Sequence, residues 1–231
     1  MKINTPAIYT AKRFIIDDKI NELKLLVLNV PDIFEHLYIV PRGTREEIGI
    51  LNRNIIGMKT VSMLQLSIIY GSRNCFNYII NNCEVDHIDK GQTSLHLAVI
   101  RGEEYYIDQL LKKWGDNEIW INLRSDRMKY TALASILSIE EGEYIDEVFN
   151  EGDRTLDEVL KLKKKITELF MGYRTVNLLL QDITGLCIFD FLENTETDND
   201  IKNILGTHPS MGEYQNIGFG PGNRITSLLF E

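Results

Sequence analysis

Apolar side chains recur with helical spacing in several separate segments of the chain. Residues 155–170 are the clearest example, because their apolar positions fall three or four residues apart and so share one face of a helix. These positions are Leu156, Val159, Leu160, Leu162, Ile166, Leu169 and Phe170. Similar spacing predicts helical structure over residues 11–30, with a second part starting near Asp17 and Asp18 and an end at Pro31. The pattern as a whole predicts an all-α protein.

Two segments of the chain repeat one another at a displacement of 31 residues. Residues 91–102, GQTSLHLAVIRG, align with residues 60–71, TVSMLQLSIIYG, and a second amphipathic segment follows each of them. The matched pairs are Leu95 with Leu64, Leu97 with Leu66, Ala98 with Ser67, and Gly102 with Gly71. Each unit is therefore predicted to hold a short helix, a glycine turn and a second helix. Such a helix pair buries its apolar face only against a neighbouring pair, as in repeat arrays.

Weaker copies of this unit follow. Residues 130–136 resemble the start of the first helix, displaced 38 residues from Thr93, so the connection before them is enlarged. Residues 155–170 would be the outer helix of this expanded third unit, and a fourth unit would begin near Asp182 with its outer helix at 201–205. We therefore divide the chain into an N-terminal helical cap or degenerate repeat (1–56), about four units (57–205), and a C-terminal loop with a vestigial repeat (206–231).

The unit at 91–102 resembles the ankyrin repeat, which has a period of roughly 33 residues and the signature G-x-T-P-L-H-x-A. The matching residues are Gly91, Thr93, Leu95, His96 and Ala98. Ser94 replaces the usual proline, and Gln65 stands where the earlier unit would have its histidine. The resemblance implies an ankyrin-like helical-repeat solenoid with helical caps.

The resemblance also implies roles for particular residues. His96 would be a structural residue whose ring joins neighbouring loops by hydrogen bonds, and Thr93 would satisfy free amides at a helix start. Ankyrin-type proteins bind partners through their turn fingers and the concave side of their first helices. Carried over by position, the candidate partner-binding residues are Ile69, Tyr70, Asp89, Lys90, Ile100 and Arg101. The enlarged connection adds Arg124 and Arg127.

Composition narrows the classes of partner and cofactor. The 25 Lys and Arg against 34 Asp and Glu give a net charge of −9, which disfavours nucleic acid and anionic membranes and favours a basic protein partner. Cys83 and His87 have no second Cys or His pair at metal-ligand spacing, and no phosphate-binding loop is apparent. We expect neither a metal nor a cofactor. Three cysteines in no dense framework indicate a reducing compartment.

Location and function follow as expectations. The N-terminus has no signal-peptide pattern, so we expect a cytoplasmic protein, or one in the host cytoplasm if it is a secreted effector. The main hypothesis is a non-catalytic protein–protein recognition module, such as a bacterial or viral effector that binds a host protein. One alternative is an acidic immunity or inhibitor protein that masks a basic toxin or nuclease. Another is an enzyme whose site lies in the divergent region 138–231, which includes the acidic run Glu140–Glu143.

Overall fold

The computed structural model describes residues 6–39, 58–137, 156–190 and 199–217, and these are mostly helical. The first two helices are α1 (Pro6–Ile16) and α2 (Ile20–Asn29), followed by a 3-10 helix (Pro31–Glu35). Strand β1 (Tyr38–Ile39) then pairs antiparallel with β2 (Thr60–Val61), which places Tyr38 opposite Val61. The predicted all-α class is confirmed apart from this short ribbon.

The remaining helices follow the order of the predicted units. The next six are α3 (Met63–Ile69), α4 (Arg73–Asn82), α5 (Ser94–Arg101), α6 (Glu104–Trp114), α7 (Glu118–Ile121) and α8 (Ala132–Leu137). The last three are α9 (Leu156–Met171), α10 (Asn199–Gly206) and α11 (Ser210–Ile217). None of the helices in these described parts of the chain combines the length and apolar character needed to cross a membrane.

The helices pack as pairs that lie side by side. Helix α1 packs on α2, α3 on α4, α5 on α6, and α8 on α9. The first members contact one another in the order α1, α3, α5, α8, and among the second members α2 contacts α4 and α6 contacts α9. Because α3 and α5 are covered on both sides, every residue of α3 and all of α5 except Arg101 are buried. The small residues Ser67 and Ala98 are fully buried where these two helices meet.

A residue in the left-handed conformation follows the first helix of three pairs. These residues are Asp18 (φ 48°), Gly71 (φ 71°) and Gly102 (φ 69°). Glycine adopts this conformation without a steric penalty, and Asp18 is one of the few residue types that tolerates it. The Asp18 carboxylate also accepts the backbone N–H of Cys75 at 2.9 Å, so the turn of the first pair caps the outer helix of the second. Residues 6–29 therefore form a helix pair equivalent in position to those that follow.

The structure changes the predicted elements in three places. The helical prediction over residues 11–30 is confirmed, although its first part begins earlier, at Pro6, and its second part begins at Ile20. The enlarged connection contains the unpredicted short helix α7. The C-terminal loop predicted from residue 206 is wrong for Ser210–Ile217, which is helical, and the glycine-rich segment 218–222 lies outside the described residues.

Candidate functional site

The turns that precede the first helix of successive pairs are hydrogen-bonded to one another. We call them the turn row: residues 38–39 with 59–61, then 86–92, 123–130 and 181–186. At the first junction, the Asp89 carboxylate accepts the backbone N–H of Thr60 at 2.9 Å and also that of Lys59. Within its own turn, Asp89 pairs with Gln92 as an isolated β-bridge. A single carboxylate thus fixes the second turn to the first.

Backbone hydrogen bonds complete the row. The Asp126 N–H donates to the Lys90 carbonyl oxygen at 2.8 Å, which joins the second turn to the third. The Ile183 N–H donates to the Met128 carbonyl oxygen at 3.2 Å, which joins the third turn to the fourth. Four turns from distant parts of the sequence therefore form one connected surface.

His96 links its helix start to the next turn, as the resemblance implied. Its Nδ1 accepts the backbone N–H of Thr93 at 3.3 Å, and its Nε2 donates to the Tyr130 carbonyl oxygen at 3.2 Å. The ring is therefore a neutral tautomer with one acceptor and one donor. Complete burial lowers the pKa of His96 to about 4, which keeps this tautomer neutral at physiological pH. A structural role for His96 is confirmed.

Gln65 makes the same two contacts in the preceding unit. Its Oε1 accepts the backbone N–H of Ser62 at 2.9 Å, and its Nε2 donates to the His87 carbonyl oxygen at 2.8 Å. An amide offers a donor and an acceptor on one rigid group, as a neutral imidazole does. The substitution of Gln for His at this position therefore preserves the connection between helix start and turn.

The candidate partner-binding residues on the first helices are not exposed as predicted. The side chains of Ile69 and Ile100 are only 6% and 4% exposed and belong to the core. Tyr70 is half-buried, packs against that core and interacts with Lys12. The reason is that α3 and α5 each lie between two neighbouring helices, so the apolar ends of both helices are covered.

Arg101 joins two helix pairs and does not extend freely into solvent. Its Nη1 donates to the Ile69 carbonyl oxygen at 2.7 Å, and its Nε donates to Glu103 Oε1 at 2.6 Å. The guanidinium lies over Gly71, where an added Cβ would be 2.6 Å from Nη2. The structure therefore places Arg101 in the packing between pairs.

Replacing Arg101 by alanine is expected to lower the free energy of unfolding by about 2 kcal/mol, because a charge-assisted hydrogen bond to the end of α3 is lost. The change is measured by urea denaturation. The matched control is Arg127→Ala, whose side chain is exposed in the turn row, and it should change stability by less than about 0.5 kcal/mol. Equal effects of the two substitutions would contradict the structural role of Arg101.

Exposed side chains of the turn row are mainly basic and aliphatic. Lys90, Arg124 and Arg127 are exposed, as the sequence analysis predicted, and Lys59 joins them. Between them lie three partly exposed isoleucines: Ile39 at 37%, Ile88 at 46% and Ile183 at 57%. The isoleucines and Lys59 were missed from the sequence, because their turns have no similarity that would align them with residues 86–92.

The acidic residues of the row are mostly engaged with the backbone. Asp89 is half-buried and accepts amides of the first turn. Asp182 Oδ1 accepts the N–H groups of Thr184 and Leu186 at 2.7 and 3.0 Å. Asp126 is exposed. The surface of the row is therefore more basic than a chain of net charge −9 would suggest.

Asp86 is a buried carboxylate that the sequence analysis did not identify. Its oxygens accept the Ser94 backbone N–H at 2.8 Å, the Ser94 hydroxyl at 2.5 Å and Trp120 Nε1 at 3.0 Å. Burial raises its pKa, and these hydrogen bonds oppose that shift. The carboxylate sits at the N-terminus of α5, where the helix dipole favours a negative charge. Its contacts indicate a structural role.

The remaining chemistry of the described residues is structural in character. Within them, no group of three or more His, Cys, Asp or Glu side chains could hold a metal ion. Burial raises the pKa of Cys75 and of Cys187 to about 12, so both thiols are protonated. Cys83 is partly exposed, and burial raises its pKa as well.

An open cleft of about 490 Å³ lies between α6 and its neighbours α4 and α9. Its lining residues are Arg73, Glu103, Glu104, Tyr105, Asp108 and Leu169. The three carboxylates of the cleft are all paired with cations: Glu103 with Arg73, Glu104 with Lys165, and Asp108 with Lys112. The cleft therefore does not present an uncompensated acid or base to a substrate.

The chain matches no model of a known protein family, and comparison with curated proteins finds no similar sequence. The resemblance to ankyrin repeats therefore depends on the residues of the units themselves.

Proposed function

We propose that the helix pairs form an ankyrin-like repeat array and that the protein is a non-catalytic module that binds another protein through its turn row. The observation that carries the proposal is the continuous hydrogen bonding of four turns into one exposed surface. A surface whose backbone is already ordered loses less conformational entropy on binding. Such a surface suits recognition of a partner.

Equivalent positions in successive units support the ankyrin-like assignment. The helix-start residues Ser62 and Thr93 are 31 residues apart, and both accept a backbone N–H from the residue three positions later. The residues three positions later, Gln65 and His96, contact the next turn. One spacing thus relates the cap and the inter-turn contact in both units.

The alternatives have less support. A basic toxin or nuclease suits the net charge of −9, but the exposed cations of the turn row would repel it at that surface. An enzyme with its site in residues 138–231 would place it partly outside the described residues, since 138–155, 191–198 and 218–231 are not described. Within the described residues, the acidic side chains of the main cleft are paired. A bacterial or viral effector that acts in the host cytoplasm is one form of the proposed function.

Site-specific photo-crosslinking tests the proposal. A photoreactive amino acid at Ile88 or at Ile183, two exposed positions of the turn row, is expected to capture the same protein from cells of the source organism or of its host. The control position is Leu28, which is 77% exposed on α2 and lies outside the row. Capture of one protein from 88 and 183 but not from 28 would support the proposal. Equal capture from all three positions, or from none, would contradict it.

A further inference from the structure

We infer that the segment bound by the turn row is an acidic protein segment in which aliphatic side chains alternate with Asp or Glu. This inference rests on the proposed function and specifies the chemistry of its partner. It reverses the expectation from net charge, which favoured a basic partner. The argument comes from how charge and apolar surface are distributed along the row.

The first step concerns charge. The four cations of the row, Lys59, Lys90, Arg124 and Arg127, are exposed although the chain carries nine more acidic than basic residues. Arg124 is held in place, because its Nη1 donates to the Gln181 carbonyl oxygen at 2.9 Å. With Asp89 and Asp182 accepting backbone amides, the charges that face a partner are mainly positive. An acidic segment complements this surface and is attracted to it at long range.

The second step concerns the exposed isoleucines. Ile39 lies opposite Thr60, next to Lys59. Ile88 precedes Lys90 by two residues in the second turn. Ile183 donates its N–H to Met128, next to Arg127. Aliphatic and basic groups therefore alternate along the row, and a partner that buries the isoleucines must supply aliphatic side chains between its acidic ones.

The same alternation argues against nucleic acid as the occupant. Phosphates would pair with the cations, but isoleucine offers neither the ring that stacks on a base nor a hydrogen bond to phosphate. The net charge of −9 would also repel a polyanion of high charge density. A protein segment satisfies both kinds of side chain.

Peptide binding to the full chain tests the inference, with amide chemical shifts and fluorescence anisotropy as readouts. The probe is a synthetic peptide that alternates Glu with Leu. The comparison probes are a Lys–Leu peptide, a Glu–Ser peptide and a single-stranded DNA. The Glu–Leu peptide is expected to shift amides of the turn row and to bind at least about ten-fold more tightly than each comparison probe. Its affinity should fall as salt is raised from low to physiological concentration.

Charge-reversal variants locate the effect. The double variant Lys90→Glu/Arg127→Glu is expected to weaken binding of the Glu–Leu peptide by at least about ten-fold. The matched control Arg13→Glu/Lys24→Glu changes the net charge equally at exposed positions of the first helix pair, outside the row, and should change affinity by less than about two-fold. Thermal unfolding followed by circular dichroism verifies that both variants fold.

The outcomes separate this inference from the proposed function. Tighter binding of the Lys–Leu peptide or of DNA, no shift of turn-row amides by the Glu–Leu peptide, or an equal loss in the control variant would overturn the acidic-segment inference. If crosslinking at 88 and 183 still captures one protein, recognition by the turn row stands and only its partner chemistry is wrong. If crosslinking also fails, both proposals fall.

Discussion

Replacing Gly91 by alanine is expected to lower the free energy of unfolding by about 3 kcal/mol, because it separates two turns of the row. Gly91 has φ 71°, and a Cβ at this position would lie 2.1 Å from the Arg124 carbonyl oxygen. The clashing atom belongs to the backbone, so no rotation of a side chain can relieve the contact. The turns must move apart, which weakens the hydrogen bond from Asp126 N–H to the Lys90 carbonyl oxygen.

Gly185 supplies a matched control for the conformational part of this effect. It has φ 83°, and an added Cβ meets nothing within 4 Å. Gly185→Ala therefore includes the strain of a left-handed alanine but no clash, and should cost about 1 kcal/mol. Urea denaturation of both variants measures the difference. Equal destabilisation would show that the contact between turns contributes nothing and would weaken the case for a rigid turn row.

Local patterns were sufficient to predict the best-formed unit. The cap Thr93, the connecting ring of His96 and the left-handed Gly102 occupy the positions that the ankyrin resemblance implied. Helix α9 matches the segment predicted from its apolar spacing almost residue for residue. These features depend on interactions between residues close in sequence, which a spacing of three or four residues encodes directly.

The burial of Ile69 and Ile100 could have been predicted, but a different signal was needed. Residues 63–69 and 94–100 have few polar side chains, and those present are small or satisfied within the unit. A short helix that is apolar on all sides is enclosed by neighbours and leaves no exposed concave face. Assigning an exposed face by position in the family signature gave the wrong result for these two residues.

The connections of the turn row could not be predicted from local spacing. Asp89 bonds to residues 29 and 30 positions earlier, and Asp18 caps a helix start 57 positions later. Such pairs become evident only when the order of helix contacts is known. The isoleucines and Lys59 form a shared surface for the same reason, since three-dimensional stacking brings together turns of unlike sequence.

Replacing His96 by glutamine is expected to remove a large part of the acid sensitivity of the fold. The folded-state pKa of His96 is about 4, whereas an unfolded histidine titrates near 6.5. Protonation therefore opposes folding, so the stability from neutral His96 is complete above about pH 6.5 and declines as the pH falls toward 4. The difference in pKa corresponds to a loss of about 3 kcal/mol between pH 7 and pH 4.

The design of this variant comes from the protein itself. Gln65 already makes the equivalent contacts to its own helix start and to the next turn, with a group that does not titrate. At pH 7 the His96→Gln variant should lie within about 1 kcal/mol of the native protein. At pH 4.5 it should be more stable than the native protein by about 2 kcal/mol, apart from that neutral-pH difference.

Urea denaturation of both proteins at several pH values measures the effect. Burial also lowers the pKa of His87 and raises that of Asp86, so the native curve contains opposing contributions that both proteins share. The difference between the two curves isolates His96. His96→Ala, which loses both hydrogen bonds, should be destabilised even at pH 7. Parallel curves for the native protein and His96→Gln would mean that the ring is accessible to protons in the folded state, and that it does not hold helix and turn together as a neutral link.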